Sequence, residues 1–139
     1  MSLSTLTQQL FLFTPIAGVV ALYGGADGSG WEPTPARPVP STDLVTGIDC
    51  PVLGLFGEAD HSIEVDAVRA LRGALEDAGK SYRIRIYRDA PHGWFNDTMP
   101  GRYRPEARAA AWDEILIFFQ GVFAGEWDND RVTWDFSSD

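Results

Sequence analysis

Apolar positions change their period several times along this chain, and each change marks a different element. Leu3, Leu6, Leu10 and Phe13 recur at near-helical spacing, which predicts a short amphipathic helix over residues 3–13 that Pro15 ends. Ile16 to Tyr23 is an apolar run without polar alternation, closed by Gly24-Gly25, as in a strand covered on both faces. Residues 26–49 are rich in proline and glycine and read as a surface loop. Val52-Leu53-Gly54-Leu55-Phe56 is a second buried strand. Ser62 is expected to cap a helix over residues 63–78, with Glu64 and Asp66 in its first turn. Val68, Leu71, Leu75 and Ala78 form its apolar stripe, and Gly79 its stop. Tyr82 to Tyr87 alternates instead, which predicts a half-exposed strand towards a sheet edge. Pro105 suits the first turn of a last helix, with Trp112, Ile115, Phe119 and Val122 facing inwards.

Strands that alternate with helices predict an α/β class. The expected fold is three layers, a mostly parallel sheet of about three strands with flanking helices. Residues 1–125 are expected to form this one domain and 126–139 an acidic tail, which Trp127, Trp134 and Phe136 could dock. The first strand is too apolar for an open edge, so either more chain or a partner is expected beside it.

With 45% hydrophobic and 12% aromatic residues in 139, the chain can bury a core. A net charge of −9 argues against nucleic acid, which needs clustered Lys and Arg. Cys50 is the single cysteine, so no internal disulfide is possible and a reducing compartment is the simple reading. No apolar run is long enough to span a membrane. Leu10 to Phe13 lacks the basic flank and small-residue site of a signal peptide, so a cytoplasmic location is expected.

Sites in open α/β sheets form beyond the carboxyl ends of strands. Two polar segments stand there: Gly57-Glu58-Ala59-Asp60-His61 after the second strand, and Asp89-Ala90-Pro91-His92-Gly93-Trp94-Phe95 after the third. An acid after one strand and a histidine after the next is the downstream order of an α/β-hydrolase triad. The imidazole takes the nucleophile's proton, and the carboxylate sets its tautomer. The plainer alternative is that Asp60 caps a turn and His92 is a loop histidine.

Ile48 to Asp60 resembles the acid-bearing strand of the dienelactone hydrolase family, and Tyr87 to Asp97 resembles its histidine loop. Arg102 to Ala107, then Ala111-Trp112, is similar to the start of its last helix, and Gly18 to Gly25 to the strand after its nucleophile helix. The resemblance spans about residues 15–123 and implies the C-terminal half of such an enzyme. It implies Asp60 as the triad acid, His92 as general base, and hydrolysis of a small-molecule ester or lactone without metal or cofactor. The family's nucleophile elbow has no counterpart, since neither Gly-x-Cys-x-Gly nor Gly-x-Ser-x-Gly occurs. Asn96 stands where the family tends to hold an arginine for a substrate carboxylate, so Arg102 or Arg104 is the substitute candidate. Trp94 and Phe95 either line an apolar substrate pocket or pack the histidine loop.

Local substitutes for the nucleophile are poor. Cys50 starts the strand whose far end leads to Asp60, about 20 Å away. Ser2, Ser4 and Thr5 cannot form a strained strand-to-helix turn from a free terminus. The glycine-rich Gly24 to Gly30 reads as a flexible turn, because Trp31-Glu32-Pro33 delays any helix behind it. Asp60, His61 and His92 lack a further well-spaced metal ligand, and Asp128-Asn129-Asp130 lacks the rest of a calcium loop. Three functional readings follow. The chain is a hydrolase piece completed by an N-terminal half. Alternatively it is an inactive remnant that binds or assembles, as a homodimer through its first-strand edge. Least favoured is a lone hydrolase with an unconventional nucleophile.

Overall fold

The computed structural model describes residues 16–24, 35–36 and 45–127, together with the backbone of 132–137. The helix expected over 3–13, most of the proline-rich loop and the Gly25 to Gly30 turn fall outside these residues. The described elements are β1 (Val19–Leu22), β2 (Val52–Gly57), α1 (Val65–Asp77), β3 (Tyr82–Tyr87), α2 (Pro105–Ala124) and β4 (Val132–Ser137). The strands form one parallel sheet in the order β1-β2-β3-β4. Helices cover both faces, which is the partial α/β fold the alternation predicts.

All six residues of β2 are buried, because the strand is covered on both sides. On one face Val52, Phe56, Ile84 and Ile86 pack against Val68 and Leu75 of α1. On the other, Leu53 and Leu55 pack against Ala111, Ile115 and Phe118 of α2. The small Ala111 lets α2 approach the sheet closely, and Phe118 fills the space over Gly18, 3.1 Å from where a Cβ there would sit.

Several local expectations shift. Helix α1 begins at Val65 rather than residue 63, and Ser62 does not cap it; the N-cap is Glu64, without a side-chain cap bond. The backbone amides of Ser62 and Ile63 turn instead to Asp60. Its end follows the expectation: Gly79 adopts φ of 65°, and Gly79 and Lys80 donate to the carbonyls of Glu76 and Leu75. Trp112 is 52% exposed and Phe118 takes its place in the core, because α2 is apolar around most of its circumference and no single stripe stands out.

Strand β3 is not at the edge. Arg83 and Arg85 lie under α2, where both guanidiniums pair with Glu114 at 3.1 and 2.6 Å. The alternation therefore reports an ion-paired layer, not solvent. Tyr82 on the other face donates to Glu76 of α1 at 2.5 Å, and burial with this bond pushes its phenol up to about 12. The sheet also carries one strand more than the expected three, since β4 comes from the segment read as a tail. The crossovers β2-α1-β3 and β3-α2-β4 advance in the same direction over opposite faces, so they have opposite hands. One of them departs from the strong right-handed preference.

Candidate active site

Beyond the carboxyl ends of β2 and β3, two loops are fastened to each other. Glu58 and Ala59 donate backbone amides to the carbonyls of Tyr87 and Ala90, at 2.9 and 3.1 Å. The Asp89 amide returns a bond to the Glu58 carboxylate at 3.3 Å. Gly57 makes this approach possible: a Cβ there would lie 2.0 Å from the Ala90 carbonyl oxygen. Any other residue would push the loops apart.

Asp60 and His92 meet across this junction. The Asp60 side chain is fully buried, and its Oδ1 accepts the amides of Ser62 and Ile63 at 2.7 and 2.8 Å. Its Oδ2 lies 2.8 Å from His92 Nδ1. A carboxylate can only accept, so Nδ1 carries the proton and Nε2 is left with its lone pair. The imidazole is 37% exposed, and Nε2 has no hydrogen-bond partner among the described residues. A half-exposed imidazole whose tautomer is fixed by a buried carboxylate can take a proton at Nε2 from a nucleophile brought to it.

Arg104 holds the histidine loop from below. Its Nε donates to the Asp89 carbonyl at 3.0 Å, and its Nη1 reaches the carbonyls of Gly101, Arg102 and Tyr103. Its guanidinium is thus engaged as a backbone clamp. Arg102 is exposed, with its Cδ 3.8 Å from where a Gly93 Cβ would stand, beside the histidine. Trp94 is fully buried among Tyr23, Tyr87 and Phe95, so it packs the loop; Phe95 is half-buried under Arg108. Asn96 accepts from the Thr98 amide and hydroxyl in a local turn. His61 is exposed.

Tyr23 is a site residue that sequence reasoning passed over. It follows β1 in a left-handed conformation, φ 39°, and its ring makes a T-shaped contact with the His92 imidazole at 5.0 Å between centroids. Burial pushes its phenol upwards. Its position directly before Gly24-Gly25, at the carboxyl end of a strand, was the available signal.

No group of three or more metal-ligating side chains lies together among the described residues. No described helix is long and apolar enough to cross a membrane. Cys50 is buried at the amino end of β2, where burial and Asp49 push its thiol up. It lines a cavity of about 530 Å³ with Ile48, Lys80, Ser81 and Trp127, at the end of the sheet opposite His92.

A parallel sheet between helices, with an acid and a histidine joined over adjacent strand ends, defines a partial α/β-hydrolase fold. The chain belongs to the dienelactone hydrolase family, whose model matches residues 6–123. A Salmonella typhimurium protein named "Putative carboxymethylenebutenolidase" is 35% identical over 104 residues, covering 75% of this chain and 37% of that one. A Bradyrhizobium protein named "Probable 2-oxo-3-(5-oxofuran-2-ylidene)propanoate lactonase" is 30% identical, covering 67% of this chain and 37% of that one. Among solved structures, a "Putative Dienelactone Hydrolase" from Klebsiella pneumoniae superposes with a TM-score of 0.68 at 32% identity. That match covers 74% of this chain and 41% of the other. The chain thus spans well under half the length of these relatives.

Proposed function

We propose that this chain supplies the acid and the general base of a nucleophile–histidine–aspartate triad for hydrolysis of esters or lactones. The observation that carries this reading is the 2.8 Å contact between Asp60 Oδ2 and His92 Nδ1, with Asp60 Oδ1 held by two amides. In the proposed cycle, Nε2 takes the proton of a hydroxyl or thiol as that group attacks the acyl carbon. The resulting imidazolium, steadied by Asp60, then protonates the leaving oxygen as the ester C–O bond breaks. Water hydrolyses the acyl intermediate through the same two transfers. The nucleophile arrives on an N-terminal hydrolase half, from the sheet beyond β1. Arg102, exposed beside the histidine loop, is the candidate to pair with a substrate carboxylate. Cyclic esters are favoured as substrates by the names of the relatives.

The test is hydrolysis of p-nitrophenyl acetate and of a dienelactone by the chain mixed with the upstream part of the Klebsiella relative. Turnover is expected only in the mixture. His92→Ala should abolish it, and Asp60→Asn should lower it about a thousand- to ten-thousand-fold, because the imidazole then adopts the wrong tautomer. Turnover indifferent to His92→Ala would refute the assignment.

A second reading is a binding or assembly module without hydrolysis, paired as a homodimer through β1. The open side of β1, which pairs only with β2 among the described residues, favours it. A mixture that stays inactive while the chain alone forms a symmetric dimer would support this reading over the first.

A further inference from the structure

Helix α2 has a second apolar face, of which only Phe119 packs against the sheet-side core. Trp112, Leu116, Phe119 and Phe123 follow one another at spacings of four, three and four, so they line one side of the helix. Trp112, Leu116 and Phe123 are 52, 44 and 73% exposed, and Phe119 stacks on Phe123 at 5.7 Å. The direction of this stripe can be fixed from its neighbours. Ala111, Ile115 and Phe118 face the sheet, and Glu114, on the flank towards β3, holds Arg83 and Arg85. The stripe occupies the opposite flank, so it overhangs the open side of β1.

We infer that the α2 stripe and the edge of β1 left unpaired among the described residues form one two-layer docking surface for the upstream half of a dienelactone-hydrolase-family chain. That half brings a strand to β1 and an apolar helix to α2. The inference deepens the functional reading above and rests on it for the identity of the partner. Three observations favour this occupant. First, 37% of the length of the Salmonella relative is matched, so most of that chain has no counterpart in this surface's own half. Second, the His92 ring lies 5.0 Å from that of Tyr23, the residue after β1, so a group delivered from beyond β1 reaches the imidazole on that side of the sheet. Third, a helix leading from such a strand into β1 continues the direction of β2-α1-β3, so a crossover of the same hand as that one lies on the α1 face. The α2 stripe therefore needs a helix of its own.

A second copy fits less well. A twofold axis at this edge would pair β1 antiparallel with its copy and put the two His92 sites at opposite ends of the joined sheet. It would also bring together two chains of charge −9.

The experiment is a mass and affinity measurement, independent of turnover. The whole chain is titrated with the upstream part of the Klebsiella relative by light scattering and calorimetry. Reassembly of that relative's own two parts is the positive control. The native chain should form a one-to-one complex. Leu116→Glu and Trp112→Glu should each weaken it at least about 30-fold, since a carboxylate would be buried in an apolar contact. Ile117→Glu, on an exposed apolar residue outside the stripe, should leave affinity unchanged. Circular dichroism verifies that each variant is folded. A complex that tolerates both stripe changes would overturn the inference. So would no complex beside a working control, or a homodimer that Leu116→Glu dissolves. A complex without hydrolysis would uphold the docking surface and count against the catalytic reading alone.

Discussion

Tyr23 shows how one residue can matter through its neighbour. A non-glycine residue at φ 39° carries a conformational cost of the order of 1 kcal/mol or more, which persists only where surrounding contacts impose it. Here the strand end, the Trp94 ring and the imidazole impose it. In the proposed cycle Tyr23 would be a positioning residue, because its ring packs on the His92 imidazole. In the reassembled enzyme, Tyr23→Phe should keep activity within about threefold and Tyr23→Leu should lower kcat at least about tenfold with little change in KM. Comparison of the two variants separates the ring from the hydroxyl. Equal losses would assign the effect to the hydroxyl instead. Asp60 and His92 were legible in the sequence because their order along the chain follows strand ends. Arg104 was not, because a guanidinium spent on carbonyls looks like any other exposed arginine before the loop is folded.

Legibility among the elements followed how clean each period was. Strand β2 and helix α1 each have one buried pattern, and both lie within a residue or two of expectation. Helix α2 is apolar nearly all round, so its period could not tell the sheet-facing side from the stripe, and Trp112 was assigned to the wrong one. Strand β3 alternates for the ion-pair reason already given. Strand β4 was invisible because Asp128 and Asp130 precede it and Asp135 separates Trp134 from Phe136, so the segment reads as an acidic tail. It lies at the outer edge of the sheet, and its crossover runs over the face opposite to α1, so its hand is opposite to that of β2-α1-β3. We expect β4 to be the most weakly held strand. Deleting residues 128–139 should lower stability by no more than about 1 kcal/mol, read from urea midpoints. A loss above about 3 kcal/mol would make β4 a structural strand.

At the scale of the whole molecule, charge and the uncovered apolar stripe oppose one another. A charge of −9 keeps copies apart near neutral pH, and that repulsion vanishes near the pI of about 4.5. The isolated chain should therefore stay monomeric at pH 7.5 in low salt and self-associate as the pH falls towards 5. Leu116→Glu should suppress this association, measured by light scattering across the range. Association that is unchanged by Leu116→Glu would mean that another surface is responsible.

The missing methyl group of Gly57 has a wider consequence. Because the two loops touch there, backbone against backbone, Asp60 and His92 belong to a single mechanical part. Breathing at the outer edge of the sheet moves them together and leaves their separation alone. Under the proposed function, a nucleophile brought from outside would meet a pair already set, and only one distance, from nucleophile to Nε2, would remain for assembly to fix.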